Sequence, residues 1–106
     1  MQDALTFKLI AHDGQSSDFD WMNIDRGDVR VGKMRGLISG RELIIYSINI
    51  FPEFEGHGYA KDTIEMFKAH FDTIIADRVR YTAIGFWERM GFDSSNNGNY
   101  VWKRCV

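Results

Sequence analysis

The sequence predicts an α+β (mixed α/β) domain: a central mixed, mostly antiparallel sheet with one βαβ unit and two main helices. Three observations carry this reading. The first forty residues hold β-favouring segments divided by turn-forming clusters, and no ten-residue stretch among them has a helical period. An apolar run over 43–51, an amphipathic stretch over 59–71 and a short apolar run over 73–76 then follow in order, the spacing of strand, helix and parallel strand. A second amphipathic stretch over 82–90 leads into a closing hairpin.

Residues 5–11 mix Leu, Phe and Ile with Thr and Lys and read as a strand. Residues 12–18, His-Asp-Gly-Gln-Ser-Ser-Asp, have turn-forming composition. A short strand is expected over 19–24, and Asp25-Arg26-Gly27-Asp28 is a hairpin turn. Val29, Val31 and Lys33 then alternate with Arg30, Gly32 and Met34, as in a half-buried strand. After a turn at Ser39-Gly40, residues 43–51 are nearly continuously apolar, which predicts a central strand covered on both faces. Pairing should end at Pro52, which has no N–H to donate.

Gly56 and Gly58 bracket His57 in a turn that opens a helix over 59–71. Ala60, Ile64, Phe67 and Phe71 share one face of it, Lys61, Asp62, Glu65 and Lys68 lie off that face, and His70 is placed to cap its last turn. The strand over 73–76 should pair in parallel with that over 43–51, through a right-handed crossover. Ala83, Phe86, Trp87 and Met90 form the apolar face of the second helix, Gly91 stops it, and Phe92 folds back as a hydrophobic cap. A turn over 94–98 and a strand over 99–106 complete the hairpin.

A chain of 106 residues is one domain, 1–106. With 13 Lys+Arg against 15 Asp+Glu, the net charge of −2 argues against a dedicated nucleic-acid binder. One cysteine, Cys105, excludes an internal disulfide framework and any zinc site with two Cys ligands, and no motif marks it as a nucleophile. His12, His57 and His70 lack ligand spacing, so no metal is expected. No apolar run approaches the roughly 20 residues that span a bilayer. The N-terminus lacks the basic start and apolar stretch of a signal peptide, so a cytoplasmic protein is expected.

A glycine turn that opens a helix leaves several backbone N–H groups unpaired. With the helix dipole they form an anion site, and glycines let a phosphate approach the backbone. A plain tight turn between strand and helix is the alternative reading. Two segments together go further: residues 48–60, Ile-Asn-Ile-Phe-Pro-Glu-Phe-Glu-Gly-His-Gly-Tyr-Ala, and residues 83–92, Ala-Ile-Gly-Phe-Trp-Glu-Arg-Met-Gly-Phe. In this order and separation the chain, over about residues 29–106, resembles the GCN5-related N-acetyltransferase (GNAT) family. That family's cofactor motif is a strand, then Arg/Gln-x-x-Gly-x-Gly/Ala, then a helix, and its later motif has a small residue, an aromatic pair and a closing Gly-Phe.

The resemblance implies a GNAT-like fold and acetyl-CoA as cosubstrate. It implies that the backbone at Ile50 and Phe51 pairs with the pantetheine arm, and that the N–H groups from Gly56 through His57, Gly58 and Tyr59 to Ala60 hold the pyrophosphate. Glu55 departs from the motif's Arg or Gln, and a carboxylate there repels a phosphate. His57, Lys61, Arg78 and Arg80 are the candidates to offset it. Arg80, where the family often has Asn, is either a contact to the CoA phosphates or a solvated loop residue. Phe86 and Trp87 form the aromatic pair. Trp87 stands where many members carry a Tyr that protonates the departing thiolate, a role an indole N–H cannot fill. It is either core or a wall of the thioester pocket, and Tyr81, Tyr46 or Tyr100 can supply a phenol. Glu42 is spaced from Glu55 like the catalytic Glu of the histone-acetylating branch. It is the candidate general base, against the alternative of a solvated edge residue. Many members use only ordered water.

Family members also place one or two helices between the first two strands. This chain has only residues 12–18 there, so it is expected to lack the usual N-terminal helices. That opens the acceptor site to a large acceptor, such as a protein lysine or N-terminus, and favours a homodimer through Phe19 and Trp21. Three functions remain in play: an acetyl-CoA-dependent N-acetyltransferase using direct attack in a ternary complex, a non-catalytic CoA-binding or protein-interaction module, and an interaction protein without a ligand. Neither a nucleic-acid nor a membrane partner is expected.

Overall fold

A computed structural model of the chain describes residues 5–10 and 20–104, with side chains from 21 to 104. Strands β1 (Leu5–Ile10), β2 (Asp20–Arg26), β3 (Val29–Ser39) and β4 (Glu42–Ile50) pair successively in antiparallel fashion. Helix α1 (Tyr59–His70) carries the chain to β5 (Thr73–Ala76), which pairs in parallel with β4. After a 3-10 turn over Tyr81–Ala83 come α2 (Ile84–Arg89), β6 (Asp93–Ser94) and β7 (Tyr100–Lys103). The described residues form one seven-stranded sheet in the order β1-β2-β3-β4-β5-β7-β6. The expected mixed, mostly antiparallel sheet with one βαβ unit and two helices is therefore present. Phe19, Cys105, His12 and the turn expected over 12–18 lie outside the described residues.

The core gathers on one face of the sheet. Ile64 and Phe67 of α1 and Trp87 of α2 are buried, with Met90 and Phe92 beyond α2, against Leu43 and Ile45 of β4 and Ile74 and Ala76 of β5. Each such large side chain contributes roughly 1.5–3 kcal/mol by leaving water. The two helices are tied together where Lys68 Nζ donates to the Met90 carbonyl. The expected coverage of β4 on both faces is not found. On the face away from the helices Ile44 is half-buried and Tyr46 is 41% exposed.

The apolar run hides a β-bulge. Arg35 stands opposite Ser47, but Gly36 stands opposite Ile45, so Tyr46 is an extra residue on β4. The bulge resets the period of two. Leu43 and Ile45 before it, and Ile48 and Ile50 after it, all reach the same core.

Helix α2 ends as its sequence predicts. Gly91, at φ 87°, donates to Glu88 O, and Phe92 donates to Trp87 O at 3.0 Å. This is a Schellman motif, sealed by the Phe92 ring edge-on to Trp87 at 4.9 Å.

The C-terminal carbonyls of α1 are met by a residue the sequence reading passes over. Arg104 donates to Lys68 O and Phe71 O, the place assigned to His70. Arg104 and Arg41 also converge on Asp72 at 2.9 and 2.8 Å. Hydrogen bonds from Arg41 and then Arg104 hold the Asp72 carboxyl below its ordinary range. A depressed carboxyl stabilises the fold above its unfolded pKa and loses that contribution as pH falls through the folded value. Asp72→Asn is therefore expected to lower stability at neutral pH while flattening its fall below about pH 4. Urea denaturation at a series of pH values checks this, and parallel curves for the two proteins would contradict it.

Candidate functional site

The site begins where β4 and β5 part. Their last register pair is Ile45 with Ala76, and the Asp77 N–H still reaches Ile45 O at 2.8 Å. Beyond it β4 runs on alone on that edge to Ile50. The gap is a cleft of about 490 Å³, with Tyr46, Ser47, Ile48 and Asn49 on one side and Asp77, Arg78, Val79 and Arg80 on the other. Ala83 and Trp87 close its helix side. It lies at the carboxyl ends of two parallel strands, where open α/β sheets bind ligands.

The far wall is a pinned loop. Arg78 N–H donates to Asn99 Oδ1 and Val79 N–H to Gly98 O, both at 2.8 Å, and Ala83 N–H donates to Arg80 O. Arg78 holds φ 51°, a left-handed conformation that costs a non-glycine residue about 1 kcal/mol. The bonds to the β6–β7 turn hold it there.

A second hollow of about 410 Å³ shares Ile48 and Asn49 with the first, so one groove follows β4 to the start of α1. Ile50, Phe54, Glu55, Gly56, Gly58, Tyr59, Ala60, Lys61 and Phe86 line it. Gly58 is the N-cap of α1 at φ 78°, and no side chain caps the helix. Among the described residues, the N–H groups from Gly56 to Lys61 have no protein acceptor, and the first helical bond is Asp62 N–H to Gly58 O at 2.9 Å. Six donors at the positive end of a twelve-residue helix can hold a large anion.

The residues singled out in the sequence divide as follows. Ile50, Glu55, Gly56, Gly58, Tyr59, Ala60 and Phe86 line the second hollow, and Arg80 and Trp87 the first. His57 is exposed and stacks on Tyr59 at 5.4 Å. Trp87 is part of the core, 5% exposed and edge-on to Phe86 and Phe92, and it also lines the first cleft.

Three positions depart from expectation. Phe51 donates its N–H to Val31 O at 2.8 Å and accepts from Phe54 N–H, so its backbone is engaged away from the groove. Because strand groups alternate in direction, Ile48 and Ile50 present theirs to the gap instead. Tyr81 is 89% exposed and lines neither hollow, whereas Tyr46 lines the first. Glu42 sits at the opposite end of β4, paired with Ser39 and Thr73, and lines a separate depression with Asp93 and Lys103. Four residues of strand, roughly 13 Å, separate it from Tyr46.

Two groups were passed over. Arg26 reaches the Tyr59 hydroxyl at 3.2 Å and lies 5.6 Å from its ring, placing a cation beside the start of α1. Asp77 is the one carboxylate lining the first cleft among the described residues. An acidic residue directly after an apolar parallel strand is the signal that finds it. Among the described residues, no cluster of three His, Cys, Asp or Glu side chains suited to a metal is present, and no helix is long and apolar enough to cross a membrane.

No protein-family model matches the sequence, and no curated protein does. Solved structures are similar in fold. An acetyltransferase from Thermus thermophilus superposes with a TM-score of 0.64 at 17% identity, over 84% of this chain and 66% of that one. A Bacillus subtilis N-acetyltransferase in complex with coenzyme A gives 0.61 at 19% identity, over 79% and 67%. A GNAT-family acetyltransferase from Elizabethkingia anophelis with acetyl-CoA bound gives 0.59 at 10% identity, over 96% and 99%. The chain thus spans about two thirds of the length of the first two. The fold is the GNAT fold.

Proposed function

We propose that the protein is an acetyl-CoA-dependent N-acetyltransferase. The observation that carries this is the groove itself: a split between parallel strands, running into the uncapped, glycine-turned start of a helix. The pyrophosphate lies on the N–H groups of Gly56, His57, Gly58, Tyr59 and Ala60. The pantetheine arm extends β4 as an added strand, bonding to Ile50 and Ile48. The thioester then reaches the first cleft, where a β4 N–H polarises its carbonyl. Phe86 and Trp87 wall the arm and exclude water. Lys61 lines the second hollow, with Arg26 on Tyr59 beside it, and Arg78 and Arg80 line the first. Tyr46, rather than Tyr81, is the phenol placed to protonate the thiolate. An amine attacks directly in a ternary complex. The acceptor enters from the sheet face that no described helix covers, which suits a protein lysine or N-terminus.

The test is to incubate the protein with acetyl-CoA and, separately, a lysine peptide, a peptide with a free N-terminus, and spermidine. Release of CoA thiol with acetylation of one of these supports the reading. A second reading, a CoA-binding module without transfer, draws on Trp87 at the family's Tyr position and on Glu55. Tight acetyl-CoA binding with no acetylated amine would favour it.

Glu55 supplies a further expected result. Glu55 and Lys61 both line the second hollow, next to the glycine turn. Glu55→Arg removes a repulsion and adds an attraction, on the order of 1 kcal/mol at an exposed site. Acetyl-CoA affinity should rise several-fold by titration calorimetry. Unchanged or weaker binding would remove Glu55 from the phosphate path.

A further inference from the structure

We propose that Asp77 holds the ammonium group of the acceptor and takes its proton during transfer; this rests on the transferase reading above. The strand register puts it there. The last paired residues are Ile45 and Ala76, so the next residue on each strand is Tyr46 and Asp77. Ile74 and Ala76 are buried under the helices. By the alternation of a strand, Thr73, Ile75 and Asp77 face the side away from α1 and α2. Tyr46 faces that side too, since the Arg35 guanidinium lies over its ring at 5.3 Å. Residues from both faces of the sheet line the split. The helix side, with Trp87 and Ala83, receives the cofactor, and Tyr46 and Asp77 flank the opening on the other side.

The chemistry at that opening is specific. Asp77 is the one carboxylate in the cleft among the described residues. Its side chain is 22% exposed, and its nearest cation, Arg78 Nε, stands 3.8 Å from Oδ2, beyond hydrogen-bond reach. Among the described residues no hydrogen bond reaches the carboxylate, while its backbone is fixed by the bond to Ile45 O. Its backbone is thus held at the cleft, and its carboxylate has lone pairs to offer a primary ammonium. The charged and titratable groups around it are Arg78 and Arg80 on its own loop, Tyr46 on β4, and Tyr100 on β7 beside Ala76.

The ammonium docks on Asp77 and gives up one proton, and the nitrogen lone pair forms a bond to the thioester carbonyl carbon. The adduct nitrogen loses its second proton. The C–S bond breaks, its electron pair staying on sulfur. Of the two protons released, one passes through Asp77 to solvent and the other ends on the thiolate. The acceptor class is therefore a primary amine that arrives charged.

The experiment compares wild type, Asp77→Asn and Asp77→Glu with acetyl-CoA, CoA and spermidine as probes. Calorimetry should give acetyl-CoA affinities within threefold of one another. In NMR titrations of the protein–CoA complex, spermidine should bind the asparagine variant at least tenfold more weakly than wild type, and the glutamate variant should recover most of that loss. The kcat/KM for spermidine should fall at least a hundredfold in Asp77→Asn. If wild type fails to bind acetyl-CoA, the transferase reading falls and this role falls with it. If acetyl-CoA binds but spermidine does not bind the wild-type complex, or binds Asp77→Asn equally, only the Asp77 assignment is overturned.

Discussion

Gly58→Trp should lower acetyl-CoA affinity by more than about a hundredfold. Gly58 caps α1 at φ 78°, where an L side chain is strained by roughly 1–2 kcal/mol. No atom lies within 4 Å of a Cβ added there, so the indole has room to sit over the groove. There it would lie between the anion and the N–H groups of Tyr59 and Ala60. Hydrogen bonds to a charged group contribute about 1.5–3 kcal/mol each, and losing two of them reaches the stated factor. Gly40→Trp is the control. Gly40 also has a left-handed backbone and open space, but it lies in the β3–β4 turn at the far end of the sheet. It should suffer the same backbone strain and keep its affinity. If both variants bind acetyl-CoA normally, the helix start is not the phosphate site.

Phe67→Ala should cost about 3–5 kcal/mol of stability. Phe67 is fully buried where α1 meets the sheet, edge-on to Phe71 at 6.2 Å. Few side chains around it can shift to fill the void, because Ile64, Leu43 and Ile74 are themselves fully buried. For a chain of this size the midpoint should fall by more than about 12 °C. Calorimetric melting measures it. A drop of only a few degrees would mean that α1 is not seated on the core as described.

Most of the architecture was legible because local chemistry set it. Gly27 and Gly40, both at positive φ, mark the turns that divide the antiparallel strands. The spacing of Ile64, Phe67 and Phe71 marks the buried face of α1. Gly91 and Phe92 mark the end of α2 by a motif with fixed hydrogen bonds. Coverage of β4 is not legible, because an uninterrupted apolar run looks the same whether it is buried on two faces or on one with a bulge. Polar Ser47 and Asn49 fall on the same alternate positions as buried Leu43 and Ile45, and that switch from apolar to polar is the trace of the extra residue at Tyr46.

The groove's composition was only half legible, for a related reason. Residues on the glycine turn are contiguous, so one motif brings Glu55 to Ala60 together. Tyr46 and Asp77 are thirty-one positions apart and meet only because β4 and β5 are in register up to Ile45 and Ala76. Glu42 fits a spacing along the chain, but it sits at the end of β4 opposite the first cleft. Phe51 fitted the motif, yet its N–H was already taken by Val31. Distance along a sequence does not say which way a strand's backbone groups point.

The most direct measurement is calorimetric titration of the wild-type protein with acetyl-CoA, with CoA in parallel. Saturable binding of one acetyl-CoA per chain is expected, with a dissociation constant in the micromolar range, about −8 kcal/mol. No heat of binding at millimolar acetyl-CoA would contradict it, leaving the GNAT fold without its cosubstrate.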